Sequence, residues 1–237
     1  SAENLHIIER FFWWTHIAGI LAFLNYLPFS KHFHIILAFP NTYYANLESK
    51  GKFANNAAVT KEVKMMMDPS ADPFAAPAPD AAATTEKFGA KDANDLSWIN
   101  LLNAYTCTEC GRCTSECPAN LTGKKLSPRK IMMDTRDRID EIGKNIEANG
   151  QFVDDHKSLL GDYISKEELW ACTSCNACVQ ACPIDIDPLN IIMQLRNFAT
   201  MEESSAPAEL NAMMTNVENN GAPWPFSQMD RANWINE

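Results

Sequence analysis

CTECGRCTSECP (residues 107–118) and CTSCNACVQACP (residues 172–183) are one phrase written twice. Each reads C-x2-C-x2-C-x3-C-P, through Cys107, Cys110, Cys113 and Cys117 in the first run and Cys172, Cys175, Cys178 and Cys182 in the second. All 8 cysteines of the chain lie in these two runs. The spacing is the one that holds iron–sulfur clusters. Iron takes soft thiolate sulfur, and a [4Fe–4S] cubane offers four irons that each want one terminal ligand. Closely spaced cysteines wrap one loop around three corners, and the fourth, ahead of a proline, points away from that loop. Zinc sites use two pairs of ligands and need no fourth cysteine before a proline. Disulfides fit an even count but leave the repeated phrase unexplained.

In two-cluster ferredoxins the fourth cysteine of each run ligates the other cluster. By that rule Cys107, Cys110, Cys113 and Cys182 hold one cluster, and Cys172, Cys175, Cys178 and Cys117 hold the second. The crossing staples the two runs together in space.

The chain has 237 residues, a formal charge of -10 and 46% hydrophobic residues, room for one or two domains. So acidic a balance argues against nucleic acid as a partner, because phosphate binding needs a basic face. Cluster cysteines must stay reduced, which favours a cytoplasmic setting for this half. The chain opens at Ser1 without a signal-peptide pattern, as a processed product or a piece of something longer would.

Residues 11–29, FFWWTHIAGILAFLNYLPF, are almost continuously apolar and about long enough to cross a bilayer. Trp13 and Trp14 stand at one end and Tyr43 and Tyr44 beyond the other, as interface anchors do. Lys31, Lys50 and Lys52 follow the run, while Glu3 and Glu9 precede it. Positive-inside bias therefore places the C-terminal side, with both clusters, in the cytoplasm. Pro28 is expected to kink the span. His16 and His34 are eighteen positions apart, five turns of one helix, and on a continuous helix they share a face. At ~1.5 Å per residue they are ~27 Å apart, one near each membrane surface. Such imidazoles are either axial ligands to two b-type haems or polar interface residues that hydrogen-bond between helices. His6 lies outside the apolar run and His32 on a different face.

Residues 68–94 are rich in Pro, Ala and Asp and read as a flexible linker that buries no core. Helix signals then dominate. Asp95 is positioned to cap a helix leading into the first run. Ser127-Pro128 starts a long helix ending near Gly150, and Ser165 with Glu168 forms a capping box into the second run. Asp187-Pro188 opens another helix, and Pro207 and Gly221 bracket a last one. No convincing strand is legible. The expected organisation is a transmembrane segment (1–45), a surface stretch and linker (46–94), and an all-α dicluster ferredoxin domain (95–237).

Two resemblances sharpen this reading. The stretch from His16 through LNYLPFSKHF to His34 resembles the last transmembrane helix of the gamma subunit of respiratory nitrate reductase. It implies that His16 and His34 are axial ligands of two b haems whose opposite ligands come from other cytochrome b helices, absent from this chain. The second resemblance rests on DLSWINLLNAYTCTECGRCTSECPA, LSPRKIMMDTRD, ELWACTSCNACVQACPIDIDP and the terminal NNGAPWPFSQMDRANW. Residues 95 to about 235 are similar to the C-type iron–sulfur subunit of heterodisulfide reductases. That implies an electron-relay subunit that docks a partner carrying cysteine-rich CCG motifs, where the catalytic centre sits. No cysteine remains here to build such a centre.

Lys124, Lys125, Arg129 and Lys130 after the first run read as a solvated helix start or as a docking patch. Arg112, inside a cluster loop, is placed to ease cluster reduction. The aromatic tail (Trp224, Phe226 and Trp234) is expected to pack back on the domain or to meet a partner. The sequence thus describes a membrane-anchored subunit passing electrons between a quinone pool, through haem and two clusters, and a soluble catalytic partner. Its rivals are the iron–sulfur subunit of a succinate- or glycolate-type dehydrogenase and a scaffold whose clusters are structural.

Overall fold

The computed structural model describes residues 2–49, 51–53, 55–68 and 87–235. Every regular element among them is helical, apart from one isolated bridge between Leu160 and Ile164. The chain runs α1 (Ala2–Tyr26), α2 (Phe33–Tyr43), α3 (Ala57–Met67), α4 (Trp98–Thr106), α5 (Arg112–Ser115) and α6 (Pro118–Leu121). It continues through α7 (Pro128–Asn149), α8 (Lys166–Ala171), α9 (Ala177–Gln180), α10 (Pro188–Met201) and α11 (Ala208–Asn220).

The cysteine runs sit inside a repeated frame. A capped helix enters each run, a single helical turn lies inside it, and a helix with proline in its first turn follows. Ser97 caps α4 by accepting from the Asn100 amide, and Ser165 caps α8 with Glu168 completing the box. Ser127 and Asp187 cap α7 and α10, whose first residues are Pro128 and Pro188. Each cap satisfies amides that a helix start leaves without partners. Gly150, left-handed at φ 76°, closes α7. Asp95 does not cap α4. It is the last residue of a short 3-10 turn (Ala93–Asp95) that Asp92 caps, and its carboxylate accepts from the Lys91 and Asp92 amides.

The core gathers around α10, where Leu189, Ile191, Ile192, Leu195 and Ala199 are buried. Ile131, Met132, Thr135, Arg138 and Ile142 form the buried stripe of α7, at the three- and four-residue steps of an amphipathic helix. Each buried aliphatic contributes roughly 1.5–3 kcal/mol. Arg138 interrupts the stripe with a charge. Its guanidinium is fully buried and held from both sides: Nε and Nη2 donate to Asp92, and Nη1 and Nη2 to Asp155. Nη2 also donates to the Lys157 carbonyl at 2.8 Å. A charge taken out of water is tolerated only when its donors are satisfied in this way. The clamp pins the segment before α4 and the loop after α7 onto one helix.

Most of the expected linker, residues 69–86, lies outside the described residues. Its end is packed. Ala90 and Ala93 are buried, the Ala90 amide donates to the Gln194 carbonyl, and Phe88 is tied to Glu202. Gly89 sits at φ 112°, and a Cβ there would run into the Gln194 carbonyl and the Phe198 amide of α10. Only glycine permits both that angle and that approach.

α1 buries none of its residues, and Ala2–Phe29 is long and apolar enough to cross a membrane by length and composition. Phe11, Phe12, Trp13, Trp14, Leu21 and Leu24 are all exposed along it. The helix starts in the polar leader, before the apolar run does. It does not continue to His34. Leu27–Phe29 form one 3-10 turn around Pro28, Ser30 is extended at φ -121°, and α2 starts afresh at Phe33. Proline lacks the amide that would carry the ladder onward. The shared face expected of His16 and His34 required an unbroken helix, so that geometric premise is corrected.

α2 packs against α4 rather than standing apart. Asn41 is buried and its amide donates to the Ile184 carbonyl at 2.8 Å, and Tyr44 meets Trp98 edge to face.

Candidate metal centre

The two runs adopt the same backbone. In the first, Glu109 (φ 59°) and Gly111 (φ 83°) flank Cys110 in the left-handed region; in the second, Ser174 (φ 56°) and Asn176 (φ 61°) flank Cys175. Two left-handed residues around one cysteine curl the chain tightly and turn amides inward. The Ser174 amide donates to Cys172 Sγ at 3.4 Å, and the Glu109 amide lowers the pKa of Cys107 in the same manner. Glycine takes this conformation without strain, whereas glutamate and serine hold it only because their surroundings impose it.

The two runs lie against one another, with sulfurs of both around one cavity. Cys107, Cys110, Cys113 and Cys182 line one cavity of about 120 Å³ whose other walls include Met132, Ile184, Ile186 and Pro188. Burial pushes the Cys107 thiol up to about 11; the Glu109 amide opposes this, and charge on Cys113, Cys182 and Cys110 adds to it. Burial likewise raises Cys113, with Cys110 and Cys182 contributing. On the other side, burial raises Cys172, opposed by the Ser174 amide and Arg196 and reinforced by Cys117 and Cys175. Cys178 is pushed up to about 12 by burial first, then by Cys172, Asp187 and Cys113. Cys182 thus lies close enough to the first run, and Cys117 to the second, for their charges to be felt there. Cys178 also senses Cys113 and lines the first cavity, so the two groups adjoin.

Left alone, these buried thiols keep their protons. Holding them as thiolates requires cations close by, which iron supplies while displacing the protons. Among the described residues no three His, Cys, Asp or Glu side chains converge on a point that would hold one metal ion. Four sulfurs spread around an apolar cavity fit a cubane, in which each sulfur meets a different iron, better than a single zinc. Cys110 and Cys175 are the exposed corners of their groups.

The second loop is steadied by Arg196 of α10. Its guanidinium donates to the carbonyls of Leu169 and Cys172 and to Ser174 Oγ, and it stacks 4.9 Å from the centre of the Trp170 ring. Sequence reading passed over Arg196, although a basic residue on the inner side of a cluster-flanking helix was its trace. The first loop is steadied from outside. Glu109 receives Arg136 of α7 at 2.8 Å and Lys31 from the α1–α2 break at 3.1 Å. Both cations hold the Glu109 carboxyl below its ordinary range against the opposing effect of burial.

Of the histidines, His16 is exposed on α1, while His34 is half-buried and lines the first cavity. His34 Nδ1 lies 2.5 Å from the Lys31 carbonyl and donates to it, which leaves Nε2 as the ring's acceptor. Lys125 pairs with Glu167, and Lys130 with Asp134 and Glu168, so these two cations serve the fold. Arg112 and Arg129 line the first cavity. The aromatic tail does not bury itself: Trp224, Phe226 and Trp234 are exposed.

Comparison with known proteins agrees with this geometry. Residues 106–186 match the family model described as a 4Fe-4S dicluster domain. The chain is 31% identical to a probable iron-sulfur-binding oxidoreductase, FadF, of Bacillus subtilis, over 95% of this chain and 33% of that protein. It is 29% identical to an EtfAB:quinone oxidoreductase of Syntrophomonas wolfei, over 100% of this chain and 32% of that protein. It is also 34% identical to the C-type subunit of a ferredoxin/F(420)H(2)-dependent CoB-CoM heterodisulfide reductase of Methanosarcina acetivorans, over 45% of this chain and 52% of that protein. The chain thus spans about a third of the first two relatives and about half of the third.

Proposed function

We propose that this chain, whose residues 106–186 match the model of a 4Fe-4S dicluster domain, is the electron-relay part of a membrane oxidoreductase. The observation that supports this most is the closeness of the two runs: Cys182 raises the Cys107 thiol and Cys117 the Cys172 thiol, which favours two groups of four that each draw on both runs. When bound, the two [4Fe–4S] groups supply one-electron chemistry. The chain's own residues position them side by side, exclude water with the walls of α7 and α10, and leave Cys110 and Cys175 as corners at the surface.

The membrane is proposed as the source or sink on one side. The exposed apolar α1 supports this, as does the tie of Lys31 to the first loop. Lys31 and Lys52 follow the span and Glu3 and Glu9 precede it, which favours the cytoplasmic side for the clusters. A quinone is proposed as the membrane-side reactant, the class named for the Syntrophomonas relative. His16 and His34 remain proposed haem ligands only within a larger bundle, since each offers one nitrogen and the opposite ligand must come from other helices. On the soluble side we propose a CCG-motif catalytic partner, as in the heterodisulfide reductase resemblance. The exposed Met213, Met214, Val217, Trp224 and Phe226 offer that partner an apolar face.

An anaerobic redox titration of the membrane-bound protein, followed by EPR, tests the relay. Two interacting signals that appear on reduction and vanish when a quinone analogue is added are expected. Clusters that stay silent across the physiological range would instead make them structural.

A further inference from the structure

Between the break in the apolar helix and the first cysteine loop lies a second cavity, of about 570 Å³. This is within the ~300–1,000 Å³ of small-molecule sites. Its walls come from three sources. Phe29 and Phe33 come from either side of the helix break, Tyr105, Asp140 and Lys144 from α4 and α7, and Cys107 from the first loop. The Tyr105 hydroxyl donates to the Asp140 carboxylate. Phe29 is 85% exposed at the outer end, where α1 leads away.

We propose that this cavity binds the head group of a quinone or quinol, a site that rests on the proposed use of quinone and gives it a place. A quinone is a flat apolar ring with an oxygen at each end and a long apolar tail. The two phenylalanines offer the ring its faces. Lys144 offers a donor to one quinone oxygen, Tyr105 offers one to the other by turning its hydroxyl from Asp140 to the ring, and Asp140 then accepts from the hydroxyl of the reduced form. The tail leaves past Phe29 along α1, a helix with no buried residue and an apolar surface. Cys107 in the wall sets the ring beside the first cysteine group. An anionic phospholipid head group suits the site less well. Lys31, Arg136 and Lys144 in its wall attract phosphate, but Lys31 and Arg136 are already paired with Glu109, Asp140 opposes it, and the aromatic pair has no part in holding it.

Photolabelling of the full chain in lipid nanodiscs with an azido-substituted short-chain quinone, followed by peptide mapping, tests the site. Label on residues 27–33, 105–107 or 136–144, removed by excess unmodified quinone, is expected. Tyr105→Phe and Lys144→Glu should each cut that label about fivefold, the loss of roughly one hydrogen bond, at unchanged iron content. Protected label elsewhere in the chain overturns this site and leaves quinone as the reactant. No protected label anywhere overturns the quinone reading itself. Label removed by phosphatidylglycerol but not by quinone makes the cavity a lipid site and overturns the proposal.

Discussion

The two cysteine loops share a backbone and differ in what holds them. The first is braced from outside, by Glu109 gripping Lys31 and Arg136, and its cavity borrows a wall from α2 through His34. The second is braced from within, by one arginine threaded between its carbonyls and stacked on Trp170. One kind of loop backbone therefore sits in two electrostatic settings. Lys31 and Arg136 beside the first loop are spent on a carboxylate, whereas Arg196 lowers the pKa of Cys172 directly. Net charge and hydrogen bonds to sulfur set cluster potentials, so clusters held by the two loops are expected to differ in potential.

The sharpest way to break this comparison is to remove a crossing ligand. Cys182→Ala should lose the same cluster signal as Cys113→Ala, and Cys117→Ala the same signal as Cys172→Ala, each with about half the iron of the native chain. Iron analysis with EPR reads the pairing. If Cys182→Ala instead matched Cys172→Ala, each run would hold its own cluster.

Next in size is the clamp that fixes both loops' scaffold. Arg138→Met leaves the half-buried Asp92 and Asp155 without their cation and should cost up to about 3 kcal/mol in denaturant unfolding. An unchanged midpoint would show that the clamp contributes nothing net.

Arg196→Met should make the second cluster harder to reduce by on the order of 60 mV, a tenfold change in equilibrium, and leave the first within error. Redox titration distinguishes them; equal shifts in both would erase the contrast between the loops. Glu109→Gln is the smaller counterpart. It should weaken the tie to Lys31 by about 0.5–1 kcal/mol, seen as faster hydrogen exchange in residues 33–43.

The clamp also carries a pH signature. Hydrogen bonds from Arg138 hold the Asp155 carboxyl at about 2 when folded, against the opposing effect of burial. A depressed folded value favours folding of the charged form. Its contribution is complete above the unfolded value near 4 and is lost as pH falls toward about 2. Unfolding midpoints measured across that window should flatten in Asp155→Asn; a parallel slope would assign the loss to other carboxylates.

Much of this was legible in the amino-acid order alone. Ser127, Ser165 and Asp187 announced three helix starts because capping is local chemistry written within four residues. The all-α class followed from those caps. Less legible was anything depending on distant partners. Glycine at position 89 looked like linker, since nothing nearby in sequence says that α10 will lie against it. Nothing in the sequence around Arg138 marks it as buried, because Asp92 and Asp155 reach it from distant segments. Pro28 was read as a kink in one helix, yet together with an extended Ser30 it ends that helix, and His16 and His34 part company there. Local pattern fixes where helices begin; whether two of them are continuous is decided by what each packs against, and α2 packs against α4.

The central claim is that eight cysteines in two interlocked groups hold two cubanes. Purification without oxygen, followed by iron and acid-labile sulfide analysis, tests it most directly. About eight of each per chain are expected. A preparation with zinc in place of iron, or with about four irons and no second signal, would contradict it.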